Sequence, residues 1–281
     1  MQTRRTFIKT ASAATLAMSL PLSILASPGS KLIGIQLYTI RDEVRKDFSG
    51  TLKKIAEAGY NSVEAAGYSG RKFYGYTPED YKKICEDLGL LPTSSHTSFD
   101  MESAGQVIED TLAGGMSWVV IPSIPREKRE NPDSYRKLAD ELNRLGEKCK
   151  ENGLGFAYHN HAFEFENMEG ETPYDILLRN TEPENVTMEL DMYWMVYGGR
   201  QPMDYFNEFP GRFKLWHVKD MDADPGREST EIGSGIIDWP ELFAAKEKAG
   251  MEMFYVEQES FKTDPFESIK KSCDYLKTLE Y

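Results

Sequence analysis

Residues 132–161 read PDSYRKLADELNRLGEKCKENGLGFAYHNH, and this stretch contains the unit from which the fold is built. Its leucines recur at three- and four-residue spacing, which predicts an amphipathic helix over 132–152. Gly153 provides the usual helix stop, and the apolar run Gly155–His159 that follows predicts a buried strand. A helix that ends at glycine and leads directly into a short apolar strand is typical of proteins with a parallel sheet.

The same unit repeats along the chain from residue 32 onward. Further strands are predicted at Leu32–Leu37, Ser62–Ala65, Leu91–His96, Trp118–Ile121, Val186–Asp191, Phe213–His217 and Met253–Glu257. Helical patterns lie between them, at 47–59, 78–88, 101–113, 172–179, 202–209, 239–249 and 265–278. Eight strands alternating with eight helices predict a closed parallel barrel, a single-domain (β/α)8 TIM barrel. The alternative is an open doubly wound sheet, which normally has a glycine-rich turn where this chain reads QLYTIRD.

The first residues predict export. TRRTFIK at 3–9 is a twin-arginine pattern, and the uncharged apolar run 11–26 behind it is too short and too rich in Ala and Ser for a membrane span. We expect cleavage near Ala26, a mature domain over 27–281, no membrane association after cleavage, and a periplasmic destination. The alternative is an ordinary basic N-terminus on a buried helix.

Charge and cysteine content narrow the possible functions. The 281 residues have a formal charge of −13, and cleavage would remove Arg4, Arg5 and Lys9 but no acid, leaving −16. Such a surface repels phosphate backbones, so we expect no nucleic-acid partner. The three cysteines fall within helical patterns without C-x-x-C spacing, which predicts buried free thiols rather than disulfides.

Four consecutive predicted strands end in ionisable residues, and in a barrel of this type such ends form the active site. These residues are His159, Asp191, His217 and Glu257. Two imidazoles with two carboxylates suit Mn²⁺, Zn²⁺, Co²⁺ or Fe²⁺ better than Ca²⁺, which prefers oxygen ligands alone. The sequence therefore predicts one divalent metal ion held by these four side chains.

Other polar and aromatic residues fall on the same rim. We expect six of them to bind substrate, with structural packing as the alternative for each: Gln36, Tyr38, Glu64, His96, His161 and Trp194. The loop Gly233-Ser234-Gly235 lies where many barrels bind phosphate, but it contains no Lys or Arg. We expect it to form a tight turn, which together with the acidic surface favours an unphosphorylated substrate.

Several motifs carry a family resemblance over nearly the whole predicted domain. The strings IGIQLYTIRD, YHNHAFEF, ELDMYW, LWHVKD, EIGSGIIDW and YVEQE resemble the sugar isomerase/epimerase superfamily of xylose isomerase-like barrels, which includes ketose 3-epimerases, inosose dehydratases and endonuclease IV. The resemblance implies metal ligands at Asp191, His217 and Glu257. The epimerases have a Glu where this chain has His159, and inosose dehydratase-like members have a similar histidine-rich strand. This departure favours elimination or hydration over epimerisation. The resemblance also allows a homo-oligomer.

The predicted chemistry is removal of a proton next to a carbonyl, which requires stabilisation of the developing charge and a base close to the carbon. Glu257 is the first candidate for the base, and Glu164 or Glu166 for a second proton-transfer group. Lys219, two residues beyond His217, is a further catalytic candidate. We therefore predict a metal-dependent isomerase, epimerase, lyase or hydratase acting on a sugar, keto-sugar or glycoside. The alternatives are a non-catalytic sugar-binding barrel and an endonuclease IV-like phosphodiesterase, which the acidic surface disfavours.

Overall fold

The computed structural model describes residues 31–280, and they form a closed barrel of eight parallel strands. The strands are β1 (Gly34–Gln36), β2 (Ser62–Ala65), β3 (Leu91–His96), β4 (Trp118–Ile121), β5 (Gly155–His159), β6 (Thr187–Asp191), β7 (Leu215–Val218) and β8 (Met253–Val256). Each strand pairs with its neighbours in chain order, and β1 closes the barrel by pairing with both β2 and β8. The predicted single-domain (β/α)8 fold is confirmed.

Helices surround the barrel at the eight predicted positions, and two further helices, Arg41–Lys46 and Met192–Tyr197, were not predicted. Their bounds are Arg41–Lys46, Phe48–Ala58, Pro78–Asp87, Ala104–Ala113, Pro132–Glu151, Pro173–Asn180, Met192–Tyr197, Pro202–Glu208, Trp239–Ala244, Lys246–Ala249 and Pro265–Thr278. The helix predicted over 239–249 is interrupted at Ala245, where the backbone leaves the helical conformation. Within residues 31–280, no helix has both the length and the apolar character needed to cross a membrane. The predicted export signal, residues 1–26, lies outside the described residues.

The unit that opened the sequence analysis shows why this chain forms these elements. Asn131 caps the helix Pro132–Glu151 by accepting a hydrogen bond from the Ser134 backbone N–H at 3.0 Å. After the helix, Gly153 adopts φ +77°, a conformation that favours glycine, and so turns the chain into β5. Gly146 lets the helix lie close to Asn185, just before β6. A Cβ on residue 146 would lie 2.2 Å from the Asn185 carbonyl oxygen.

Side chains that point into the barrel change from apolar to polar along the strands. The half of the interior nearer the N-terminal ends of the strands, called the lower half here, is filled by a small apolar cluster that includes Leu215 and Tyr255. Because inward positions recur every second residue, the next inward residues after these two are His217 and Glu257. The apolar lower half therefore supports a polar upper half at the C-terminal ends of the strands.

Two short hairpins lie outside the barrel and were not predicted from the sequence. A hairpin, Tyr68–Ser69 paired with Lys72–Phe73, follows β2, and a second, Asp220–Met221 paired with Ser229–Thr230, follows β7. The three cysteines are buried free thiols, as predicted.

Candidate metal centre and active site

The four predicted metal ligands converge at the top of the barrel. His159, Asp191, His217 and Glu257 are all buried, and one potential ligand atom from each lies within 4.8 Å of the others. The Nδ1 atom of His217 lies 3.1 Å from Glu257 Oε2, and His159 Nε2 lies 3.6 Å from Asp191 Oδ2. Neither His159 Nε2 nor Asp191 Oδ2 has a hydrogen-bond partner, although both atoms are buried. Buried polar atoms are costly when unpaired, so this arrangement fits a cation bound among the four side chains.

The second nitrogen of each ligand histidine is held by a protein oxygen. His217 Nε2 lies 2.7 Å from Glu64 Oε2, and His159 Nδ1 lies 3.1 Å from the Pro122 carbonyl oxygen. The Pro122 contact fixes an N–H on His159 Nδ1 and leaves Nε2 as an acceptor towards the centre. Burial lowers the pKa of His217, but the carboxylates of Glu189 and Glu257 outweigh burial and raise that pKa well above its ordinary value, so a metal ion would have to displace the proton on Nδ1. Both imidazoles are therefore held in fixed orientations, with His159 Nε2 and His217 Nδ1 turned towards the other candidate ligands.

Glu64 lies behind the candidate metal centre formed by these four side chains and contacts His217 from that side. It also accepts hydrogen bonds from Gln36 Nε2 at 2.8 Å and from Ser94 Oγ at 2.6 Å. Burial alone would raise the pKa of Glu64, but the neighbouring His96 and His217, together with the Ser94 hydroxyl, lower it to about 2. Gln36 and Glu64, both predicted to bind substrate, are completely buried and do not line the cavity described below. Glu64 contacts His217, and Gln36 donates a hydrogen bond to Glu64.

A cavity of about 400 Å³ opens directly above the candidate metal centre, and His159 and Glu257 are among its lining residues. Four of the six predicted substrate-binding residues line it, namely Tyr38, His96, His161 and Trp194. Ser123 and Glu259 also line the cavity and were not predicted. Glu259 could have been found from the sequence, because it lies two residues after Glu257 and so has the same inward direction.

Lys219 is a buried cation of the site. Its ammonium lies 3.3 Å from Glu257 Oε2 and 3.6 Å from Asp191 Oδ2, and it also contacts Glu259. The Lys219 Nζ atom lies over the Trp194 ring, 4.7 Å from its centroid. Burial lowers the pKa of Lys219, but these carboxylates outweigh burial and raise it above its ordinary value. Lys219 is therefore charged at neutral pH and can donate hydrogen bonds beside the cavity.

His96, which lines the cavity, forms a close pair with the fully buried Glu189 beneath it. His96 Nε2 lies 2.5 Å from Glu189 Oε2, and burial lowers the pKa of His96 to about 4. Burial and the nearby Glu64 carboxylate raise the pKa of Glu189 well above its usual range. With Glu64 and His217, this pair makes a second group of closely spaced potential ligands. Sequence reasoning did not single out Glu189, although its place two residues before Asp191 gives it an inward direction.

Glu164, predicted as a second proton-transfer group, is buried and does not line the cavity. It accepts hydrogen bonds from the Tyr158 hydroxyl at 2.7 Å and from the His161 backbone N–H at 2.9 Å. Burial raises its pKa to about 8. The geometry gives Glu164 the role of fixing the loop that carries His161, while its neighbour Glu166 is exposed.

The glycine loop after β7 forms a tight turn around a carboxylate. Asp220 accepts hydrogen bonds from the backbone N–H groups of Gly233 at 2.8 Å and Gly235 at 3.1 Å, and from Trp239 Nε1 at 2.9 Å. Amides that already bind a carboxylate cannot also bind a phosphate. The loop therefore shapes the rim and is not a phosphate site.

This geometry agrees with the comparisons to known proteins. Residues 52–279 match the model of the xylose isomerase-like TIM barrel family, and the chain belongs to that family. A crystal structure of a sugar phosphate isomerase/epimerase from Parabacteroides distasonis is similar to the chain, with 32% identity and a TM-score of 0.77, covering 89% of this chain and 95% of that one.

Two further proteins are similar to the chain at lower identity. An inosose dehydratase from Lacticaseibacillus casei is 28% identical over 163 residues, which are 51% of this chain and 54% of the relative. The match thus spans about half the length of that curated relative. A zinc-bound IOLI protein shares the fold, with 16% identity and a TM-score of 0.62, covering 88% of this chain and 96% of that one.

Proposed function

We propose that the protein is a metal-dependent enzyme that removes a proton next to a carbonyl group of a sugar-like substrate, with elimination of water as the leading reaction. The observation that carries the proposal is that two buried atoms under the cavity, His159 Nε2 and Asp191 Oδ2, lie 3.6 Å apart and lack a hydrogen-bond partner. The similarity to an inosose dehydratase supports elimination, and the similarity to a sugar phosphate isomerase/epimerase supports isomerisation or epimerisation as alternatives.

His159, Asp191, His217 and Glu257 would hold the ion, and their mixed nitrogen and oxygen atoms suit Mn²⁺, Zn²⁺, Co²⁺ or Fe²⁺. A bound divalent ion would stabilise negative charge on the substrate carbonyl oxygen as the neighbouring carbon loses its proton. The protein fixes these ligands in advance, since Glu64 and the Pro122 carbonyl hold the outer nitrogens of the two histidines.

The proton transfers fall to groups at the end of β8 and to Lys219. Glu257 and Glu259 both line the cavity, and a carboxylate there can accept the proton from carbon. Lys219 lies against both carboxylates and can give a proton or a hydrogen bond to the departing hydroxyl. Trp194 offers a ring on which the apolar face of a sugar can stack.

The substrate we propose is an unphosphorylated sugar, keto-sugar or glycoside. The occupied amides of the loop after β7 support this, because they remove the usual phosphate site of the fold. Export by the twin-arginine route to the periplasm is a further part of the proposal and rests on residues 3–26. Cell fractionation with an Arg4→Lys, Arg5→Lys variant as the control tests that part.

The function is tested by metal analysis and isotope exchange together. We expect about one Mn, Zn, Co or Fe per chain by mass spectrometry, and loss of this metal in His217→Ala. We also expect the metal-loaded protein to exchange deuterium from heavy water into a keto-sugar from a panel, and the variant not to do so. Stoichiometric metal without exchange on any keto-sugar or glycoside would contradict catalysis and favour the sugar-binding alternative. Absence of metal after dialysis against each ion would contradict the whole mechanism.

A further inference from the structure

A second and larger cavity adjoins the one above the metal centre. Its volume is about 750 Å³, and Tyr38 and Ala66 line both cavities. The metal-side cavity of about 400 Å³ is near the lower end of the range for small-molecule sites. A molecule with two linked parts can therefore place one part over the metal centre and the other beside Tyr38.

Side-chain contacts hold the wall of this second cavity that contains Tyr74 in a fixed position. The hairpin after β2 brings Tyr74 over Phe48, with the rings stacked at 4.8 Å, and the Tyr74 hydroxyl accepts a hydrogen bond from the Ala66 N–H at 2.7 Å. At its turn, Arg71 contacts the buried Asp110 carboxylate at 2.6 Å. These contacts hold the aromatic wall in position before any ligand enters.

The charge of this cavity is opposite to that of the protein. Arg41, Arg45 and Lys72 line it, and no acidic residue is among its lining residues within 31–280, although the chain has a net charge of −13. Arg45 is paired with Asp42 at 3.0 Å, and Arg41 lies over the Tyr38 ring at 4.5 Å. Lys72 makes no ion pair with any residue of the described range, so its charge is available to a ligand.

We propose that this cavity binds a second ring of the substrate, one that carries a carboxylate and is joined to the sugar that lies over the metal centre. The aromatic walls fit a flat or ring-shaped group, and the three cations fit its negative charge. The ring would be a uronic acid unit or an aromatic acid, which share this chemistry. The inference rests on the proposed function for the sugar half, but it makes a separate claim about the cavity beside Tyr38.

The test uses isothermal titration calorimetry to measure binding of the acidic ring alone, without the sugar, to the metal-loaded full chain. The probes are 4-hydroxybenzoate and D-glucuronate, with the methyl ester of each acid as its uncharged control. We expect at least one acid to bind, its ester to bind more weakly, and Lys72→Gln to raise the dissociation constant of the acid about three- to tenfold. Lys137→Gln, an exposed lysine on the helix Pro132–Glu151, is the matched control and should change nothing.

Retention of binding in His217→Ala would place the probe outside the metal centre and support the inference. The inference is overturned if neither acid binds, if the ester binds as well as the acid, or if Lys72→Gln has no effect. It is also overturned if His217→Ala abolishes binding, because the probe would then occupy the metal centre. Deuterium exchange into keto-sugars tests the proposed function separately. Exchange without probe binding would reject only the second subsite, and probe binding without exchange would reject only the proposed chemistry.

Discussion

Replacing Glu164 by glutamine should change how the stability of the protein depends on pH. Burial raises the pKa of Glu164 from 4.5 to about 8, so the folded protein retains a proton that the unfolded chain releases near pH 4.5. Stability from this group is fully present below about pH 4.5 and is lost as the pH rises towards about 8. At about 1.4 kcal/mol per pKa unit, the loss between about pH 5 and pH 8.5 is about 4 kcal/mol.

Glu164→Gln has no proton to lose and should not show this part of the decline. The assay is urea unfolding followed by circular dichroism across that pH range, with the free energy of unfolding compared between variant and wild type at each pH. Other titrating groups then cancel. Glu166→Gln, which changes the exposed neighbour, is the matched control and should follow the wild type. A difference between Glu164→Gln and the wild type that stays constant with pH would refute the assignment of Glu164 as a buried carboxyl with a raised pKa.

Three further changes test the centre and the fold. Glu64→Gln should weaken metal affinity about 10- to 100-fold without unfolding the protein, measured by competition with a chelator; unchanged affinity would contradict its role in orienting His217. Lys219→Met should lower turnover about 100- to 10,000-fold while metal content by mass spectrometry is retained, and near-normal turnover would exclude it from proton transfer. Gly146→Ala should cost about 1–3 kcal/mol in thermal unfolding, because the added Cβ would lie 2.2 Å from the Asn185 carbonyl oxygen; an unchanged melting temperature would show that the helix can move.

The barrel and the convergence of the four candidate metal ligands could be predicted from sequence because both depend on local pattern plus one topological rule. Helix and strand periods identify the units, and parallel strands place their C-terminal ends on one rim. For that reason four residues that are far apart in the chain are predicted to meet: His159, Asp191, His217 and Glu257. The structure brings their ligand atoms within 4.8 Å of one another.

Depth within the barrel could not be predicted in the same way. Gln36 and Glu64 end their strands like the ligands do, but they are completely buried behind His217 instead of lining the cavity. Glu164 follows a strand, yet its loop folds back and buries it against Tyr158. The hairpin after β2 has no strong periodic signal, and it is held by tertiary contacts such as the stacking of Tyr74 on Phe48. In each case the outcome depends on packing between distant segments.

The placement of proton-transfer groups favours elimination over epimerisation within the proposed chemistry. Inverting a carbon by proton exchange requires one group to remove the proton on one face and another to return it on the opposite face. Here the two cavity-lining carboxylates, Glu257 and Glu259, both follow β8, and Lys219 contacts both. The ligand from β5, across the barrel, is the imidazole of His159, whose outer nitrogen is held by a backbone carbonyl. A base and an acid on the same side of the substrate suit removal of a proton and protonation of a hydroxyl on the neighbouring carbon, which together release water.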